Sequence, residues 1–165
     1  MPIIKKADAK RDSGDGKNNP CGPFEAILFS DSGGLSQFGA FVETLPPGSA
    51  SSVKHWHAHE DEMIYVLDGI ATVLEGDEEH QLTPGDAATF KAGAPLGHCV
   101  QNRSDKPLSY LVIGTRSSGD TVTYPDHDRV LHFARDDAGE TVERRYVTAQ
   151  GAPATSPYVI DDNGT

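Results

Sequence analysis

One stretch constrains this chain more than any other. His55-Trp56-His57-Ala58-His59-Glu60-Asp61-Glu62 sets three histidines and three carboxylates in eight consecutive residues, and it runs on into an alternating segment that ends at Asp68-Gly69. In an extended strand residues two apart point to the same face, so His55 and His57 project together and Trp56 points away. Ala58 to Asp61 can form a turn, after which Glu62 opens a strand expected to pair back on the first and set its carboxylate beside His57. Neutral imidazole and carboxylate suit a borderline divalent metal. With no further ligand downstream, the same residues would read as an acidic surface turn.

A further donor does follow. Gly85 to Asn102 reads as a glycine turn, a short strand, a Gly/Pro-rich loop and a second strand that opens on His98. Together the two stretches resemble the paired motifs of the cupin superfamily. The first motif corresponds to Gly48, His55, His57, Glu62 and Gly69, with one extra residue after Gly48. The second corresponds to Gly85, Gly93, His98 and Asn102. This second match departs in two places: Lys91 stands where a proline is expected, and two extra residues around Pro95 and Gly97 separate Gly93 from His98. The resemblance spans roughly residues 40–114, and two motifs at this separation are more specific than either alone.

The resemblance implies a jelly-roll β-barrel with one divalent ion held by His55, His57, Glu62 and His98. His57, His59 and Glu62 could also cluster, but the motif spacing makes His57 the second ligand. Three imidazoles and a carboxylate leave a position open for water or substrate, as catalytic metals require. Iron, manganese, nickel, cobalt and zinc all accept such ligands. Cupins include sugar-phosphate isomerases, small-molecule dioxygenases, decarboxylases and metal-free epimerases, so the resemblance implies a small-molecule substrate and isomerase-like or dioxygenase-like chemistry. The alternative is a binding module that holds a metal or small ligand without turnover.

The wider sequence agrees with an all-β chain. Eleven prolines and seventeen glycines, with almost no apolar run at helical spacing, imply short strands and many turns. Expected strands lie at 24–30, 36–45, 53–57, 63–67, 71–75, 78–82, 87–90, 98–102 and 108–114, the last two paired across the turn at 103–107. Further strands are expected at 121–124, 129–133 and 141–147. At 165 residues one domain is expected. It divides into a polar arm over 1–20, a barrel over 21–150 and a tail over 151–165. No apolar segment approaches a transmembrane span, and Met1 to Lys17 lacks the apolar core of a signal peptide, so a cytoplasmic protein is expected. Cys21 and Cys99 read as free thiols.

A net charge of -11 argues against nucleic-acid or anionic-membrane partners. A sugar phosphate needs cations placed to meet it, and Arg116 is the one obvious candidate near the motifs. A neutral or weakly acidic oxygen-rich substrate is therefore expected. Alternation puts Ile64 and Val66 inward with the ligands, and Met63, Tyr65, Leu67 and Trp56 outward. That outer face is too apolar to be left in water, so either the N-terminal arm or a neighbouring sheet covers it within one subunit or, as the cupin resemblance implies, a homodimer does. A general acid or base that is not a ligand is expected from Tyr124 or His127, if the turn at 124–128 folds across the barrel mouth, or from Tyr110 if it points inward.

Overall fold

A computed structural model describes residues 3–159. Thirteen strands follow in chain order: β1 (Lys10–Gly14), β2 (Phe24–Leu28), β3 (Phe38–Leu45), β4 (Trp56–His57), β5 (Glu62–Asp68), β6 (Ala71–Glu75), β7 (Glu78–Leu82), β8 (Ala87–Phe90), β9 (His98–Gln101), β10 (Leu108–Thr115), β11 (Gly119–Tyr124), β12 (Arg129–Arg135) and β13 (Thr141–Val147). The one α-helix among the described residues, α1 (Phe29–Gly33), is a single turn between β2 and β3. Every strand pairing is antiparallel, as the all-β reading requires.

One layer is a six-stranded sheet in the order β1-β2-β3-β10-β5-β8. Opposite it lie β7-β6-β9 and β13-β12-β11-β4. These two are joined through residues 50–57, because Ala50 pairs with Gln101 and His55 with His98, while Trp56 and His57 pair with Thr123 and Val122. The result is the two-layered jelly roll expected from the sequence. Leu45, Ile64, Val66, Leu108, Tyr110 and Val112 of the six-stranded sheet pack against Ala71, Val73 and Val100 of the other layer. Around Val122, Tyr124 and Leu131 a second apolar cluster gathers Val53, Phe133, Tyr146 and Tyr158.

The turn at Asp68-Gly69 behaves as its sequence predicts. Gly69 has φ +86°, and a Cβ there would sit 2.6 Å from the Pro107 carbonyl oxygen, so only glycine fits. Two expected pairings are corrected. The strand carrying His57 does not form a hairpin with the strand carrying Glu62: β4 pairs with β11, and β5 with β10 and β8. Nor do residues 98–102 pair with 108–114, since β9 joins β6 and β10 lies between β3 and β5. In both cases the short connection crosses from one layer to the other, so sequence neighbours face each other across the core. Lys10–Gly14, within the polar arm, adds to the edge of β2 as β1. Residues 160–165 of the expected tail lie outside the described residues.

The outward set is corrected in one member. Met63, Tyr65 and Leu67 share the outer face of the six-stranded sheet, but Trp56 is on β4 in the opposite layer and cannot join that patch. Alternation along the chain predicts a face within one sheet only, and the chain changes sheets between His57 and Glu62.

Candidate metal centre

Four side chains meet between the layers. His55 and His98 are direct cross-strand partners, with His55 N donating to His98 O over 3.1 Å and His98 N to His55 O over 2.8 Å. This register aligns both rings, whose centroids lie 5.0 Å apart. His57 shares the face of His55 by alternation, and their Nε2 atoms stand 3.1 Å apart. Glu62 enters from the facing sheet, with Oε1 3.6 Å from Nε2 of His98. One donor atom each from His55, Glu62 and His98 fall within 4.8 Å of one another. The layers thus supply three imidazoles from one side and the carboxylate from the other.

Hydrogen bonds determine which nitrogens are free. Nδ1 of His55 is 3.0 Å from the Val53 carbonyl oxygen, which can only accept, so Nδ1 carries the proton and Nε2 a lone pair. Nδ1 of His57 lies 2.7 Å from Oδ2 of the buried Asp120. Burial works against a charge on Asp120, but the hydrogen bond from His57 and those from the Thr121 and His59 amides outweigh it and lower its pKa. As an anion, Asp120 must accept, so Nδ1 of His57 carries the proton and the neutral form of the ring has its lone pair on Nε2. In that form two lone pairs face each other across 3.1 Å. Only a proton or a cation between them removes that repulsion. His98 extends the demand, because neither of its buried ring nitrogens has a hydrogen-bond partner among the described residues. One proton between His55 and His57 leaves both His98 nitrogens unsatisfied; a cation in the centre of the four takes the two facing lone pairs and one nitrogen of His98. The residues fit a divalent ion.

The two facing histidines differ in protonation. Burial opposes a charge on His57, but the Asp120 hydrogen bond and the charges of Glu62, Asp120 and Glu60 outweigh it and raise its pKa, so without a metal a proton on His57 Nε2 bridges to His55. Burial first, then the charges of His57 and His98, hold His55 down at about 4, so it is the neutral imidazole that a metal needs. Phe90 stacks on the His98 ring at 3.6 Å and 2°, fixing its plane. Asp120 is the partner that sequence reading missed, and it grips both sides of the motif: Oδ2 takes His57 Nδ1 and Oδ1 takes the His59 amide at 2.8 Å. Such second partners orient metal-binding histidines. No signal near Asp120 marks it; only the β4–β11 pairing brings it there. His59 itself has a side chain 63% exposed and reaches the other Asp120 oxygen at 3.2 Å, outside the four. A neighbouring group of His57, Glu60 and Asp120 is already satisfied internally, since Glu60 holds Arg135 and Ser117.

Beside the centre lies a cavity of about 150 Å³, an order of magnitude above the ~10–15 Å³ that one water needs. His55 and Glu62 line it together with Glu43, Ser51 and Tyr110, and its apolar wall includes Phe41, Ile64 and Val112. The other candidates are placed as follows. Tyr124 is buried, its ring 5.8 Å from that of His55, and it sits among Tyr146 and Tyr158. Burial, then the neighbouring tyrosines, raise its pKa, so it stays a neutral phenol. His127 is exposed on a 3-10 turn and faces a separate cavity with Cys21, Cys99 and Lys54. Asn102 is fully buried, and its amide is spent on Leu45 O, Lys106 O and Ser104, which makes it a staple for the turn at 103–107. Arg116 is tied to Asp31 at 2.5 Å. Cys21 and Cys99 are free and buried.

The description "cupin domain" matches residues 41–114, the span that holds all four donors. The crystal structure of a cupin-superfamily sugar phosphate isomerase from Silicibacter pomeroyi is 32% identical with a TM-score of 0.80, over 94% of this chain and 98% of that one. The chain belongs to the cupin superfamily. A protein from Acidithiobacillus ferrooxidans, provisionally assigned as a sugar phosphate isomerase, is 25% identical with a TM-score of 0.77, over 93% and 96% of the two chains. A predicted oxalate decarboxylase from Thermotoga maritima, 19% identical with a TM-score of 0.57 over 69% of this cupin and 98% of its own chain, shares the fold. Curated proteins give no match.

Proposed function

We propose that this cupin is a divalent-metal enzyme that isomerises a small hydroxy-carbonyl compound of the sugar class. The observation that carries the reading is the set of unsatisfied donors: facing lone pairs on His55 and His57, and His98 with two unpartnered buried nitrogens. His55, His57, Glu62 and His98 hold the ion. When bound, the metal supplies positive charge that polarises a carbonyl and stabilises the negative charge developing on its oxygen. The chain's own residues do the rest. Phe41, Ile64 and Val112 keep the reacting carbons out of bulk water, and Asp120 fixes the His57 tautomer.

Two further observations support isomerisation. The Silicibacter pomeroyi isomerase matches nearly end to end. The cavity also contains an ionisable carboxyl, Glu43, that is not among the donors. Its lining offers two carboxyls and no lysine or arginine among the described residues, and Arg116 is occupied by Asp31. An unphosphorylated substrate, or one whose phosphate lies outside the cavity, therefore fits best. The outer face of the six-stranded sheet is proposed to close a homodimer.

The test is metal analysis of the purified protein, followed by assays on phosphorylated and unphosphorylated aldoses with and without chelator. Isomerisation that vanishes on chelation and returns with metal is the expected result. Oxygen consumption in place of isomerisation would move the reading to a dioxygenase, and a full metal site with neither activity would leave a binding module.

A further inference from the structure

Glu43 and Tyr110 face each other across β3 and β10 in register, on the inner side of the six-stranded sheet. Both are buried, and the tyrosine hydroxyl donates a hydrogen bond to Oε2 of the carboxylate. An acid at an inward strand position, two residues from Phe41 on one side and Leu45 on the other, interrupts an otherwise apolar wall. Burying a carboxyl there is costly and a leucine would pack the same space, so the fold alone gives no reason for it. Glu43 and Tyr110 also line the same cavity as two of the metal-site residues, His55 and Glu62. A small molecule bound at the centre would fill the space between them.

Resting on the isomerase reading, we propose that Glu43 is the proton-transfer residue of this cupin and that Tyr110 is its positioning residue. In the forward step the Glu43 carboxylate takes the proton from the carbon bearing the hydroxyl. The C–H electron pair becomes the C=C bond of an enediolate, and the carbonyl π pair moves onto its oxygen. Glu43 then returns that proton to the former carbonyl carbon, while the hydroxyl proton passes between the two adjacent oxygens. Atoms and electrons balance without an oxidant or reductant. Tyr110 holds Oε2, and Oε1 carries no hydrogen bond among the described residues. The groups that bear on Glu43 are Tyr110 from β10, Glu62 from β5 and Asp12 from β1, with His55 across the cavity. Burial raises the Glu43 pKa to about 7, and the Tyr110 hydrogen bond works in the opposite direction. A group poised near neutrality can both accept and return a proton.

The experiment uses the metal-loaded full chain and Glu43→Gln, with metal content measured for both. Dihydroxyacetone and glyceraldehyde in deuterated water report carbon–proton exchange by NMR. Glycolohydroxamate, which mimics the enediolate, reports protonation coupled to binding by calorimetry in buffers of different ionisation enthalpy. The expected result is full metal in both proteins, exchange slowed about 10²–10⁴-fold in the variant, and more proton release to buffer on hydroxamate binding by the variant, because in the wild type Glu43 keeps the proton that the hydroxamic acid loses to the metal. Equal exchange and equal proton release in Glu43→Gln would overturn the role of Glu43 and leave the isomerase reading standing. A metal-loaded wild type that neither exchanges protons nor binds the hydroxamate would overturn both. Tyr110→Phe guards against a folding defect at Glu43: it should keep exchange at high pH and shift the acid limb, and an unchanged profile would remove Tyr110 from the scheme.

Discussion

Nδ1 of His57 donates to Oδ2 of Asp120 over 2.7 Å, across 63 residues of chain and between the two strands that pair at the edge of one layer. The bond sets the tautomer of one proposed ligand from outside the ligand set. Asp120→Asn keeps the shape but loses the charge that strengthens the bond. It should weaken metal binding about 10–100-fold, as read by competition with a chelator of known affinity.

His57→Ala should remove the metal, whereas His59→Ala should leave its affinity unchanged, because the exposed His59 ring touches only the far oxygen of Asp120. Metal stoichiometry of the two variants decides between the alternative clusters considered from the sequence. Retention by His57→Ala would refute the assignment.

The four residues proposed to hold the ion each stand in a motif whose spacing is local: His55 and His57 by alternation, Glu62 at the start of an alternating strand, His98 after a glycine-rich loop. What brings them together is not legible in the sequence. Glu62 reaches His98 across the core, since the chain changes layers between β4 and β5, and a hairpin reading cannot anticipate that. Asp120 and Glu43 were invisible for the same reason. Glu43 sits in Phe41-Val42-Glu43-Thr44-Leu45, where a lone acid reads as the solvent side of a strand, yet parity with the buried Leu45 puts it inside. Tyr110 was a conditional candidate whose inward parity is met. The role expected of His127 depends on the turn at 124–128 folding across the barrel mouth, and on its 3-10 turn His127 lines the cavity of Cys21 and Cys99 instead.

Glu43 makes the metal-free protein's stability depend on pH in a direction opposite to most carboxylates. Burial, partly offset by Tyr110, raises its pKa from 4.5 to about 7 in the folded state. Between those values the folded chain binds the proton and the unfolded chain releases it, so stability falls as pH rises through this window. Below it both states are protonated and the effect vanishes. By 1.36 kcal/mol per unit the difference is about 3 kcal/mol. Urea unfolding at pH 5 and pH 8 should therefore show Glu43→Gln gaining about that much on the wild type at the higher pH.

Tyr110→Phe removes the hydrogen bond that pulls the Glu43 pKa down. The carboxyl should then titrate higher, and the acid limb of the pH–rate profile should move to higher pH. Losing one buried hydrogen bond should cost about 1 kcal/mol of stability. A limb that moves to lower pH would contradict the geometry.

The last prediction concerns assembly. Register aligns Met63 with Ile113 and Ala40, and Tyr65 with Leu111, Val42 and Ile27, so the outer face of the six-stranded sheet is a broad apolar surface. Tyr65 is 39% exposed, Leu67 45% and Phe38 37%. Scattered exposed apolar residues are ordinary, but a contiguous set on one face marks an interface. A second copy of the same face, related by a two-fold axis, covers it with the fewest elements. A stable dimer would bury roughly 800 Å² per partner there. Trp56, in the opposite layer, takes no part. Sedimentation velocity at micromolar concentration should show a dimer for the wild type and for Trp56→Ala. Tyr65→Lys with Leu67→Lys should yield monomers, because four ammonium groups would replace apolar side chains across the two-fold. A monomeric wild type, or a dimer that survives the paired lysines, would place the contact elsewhere.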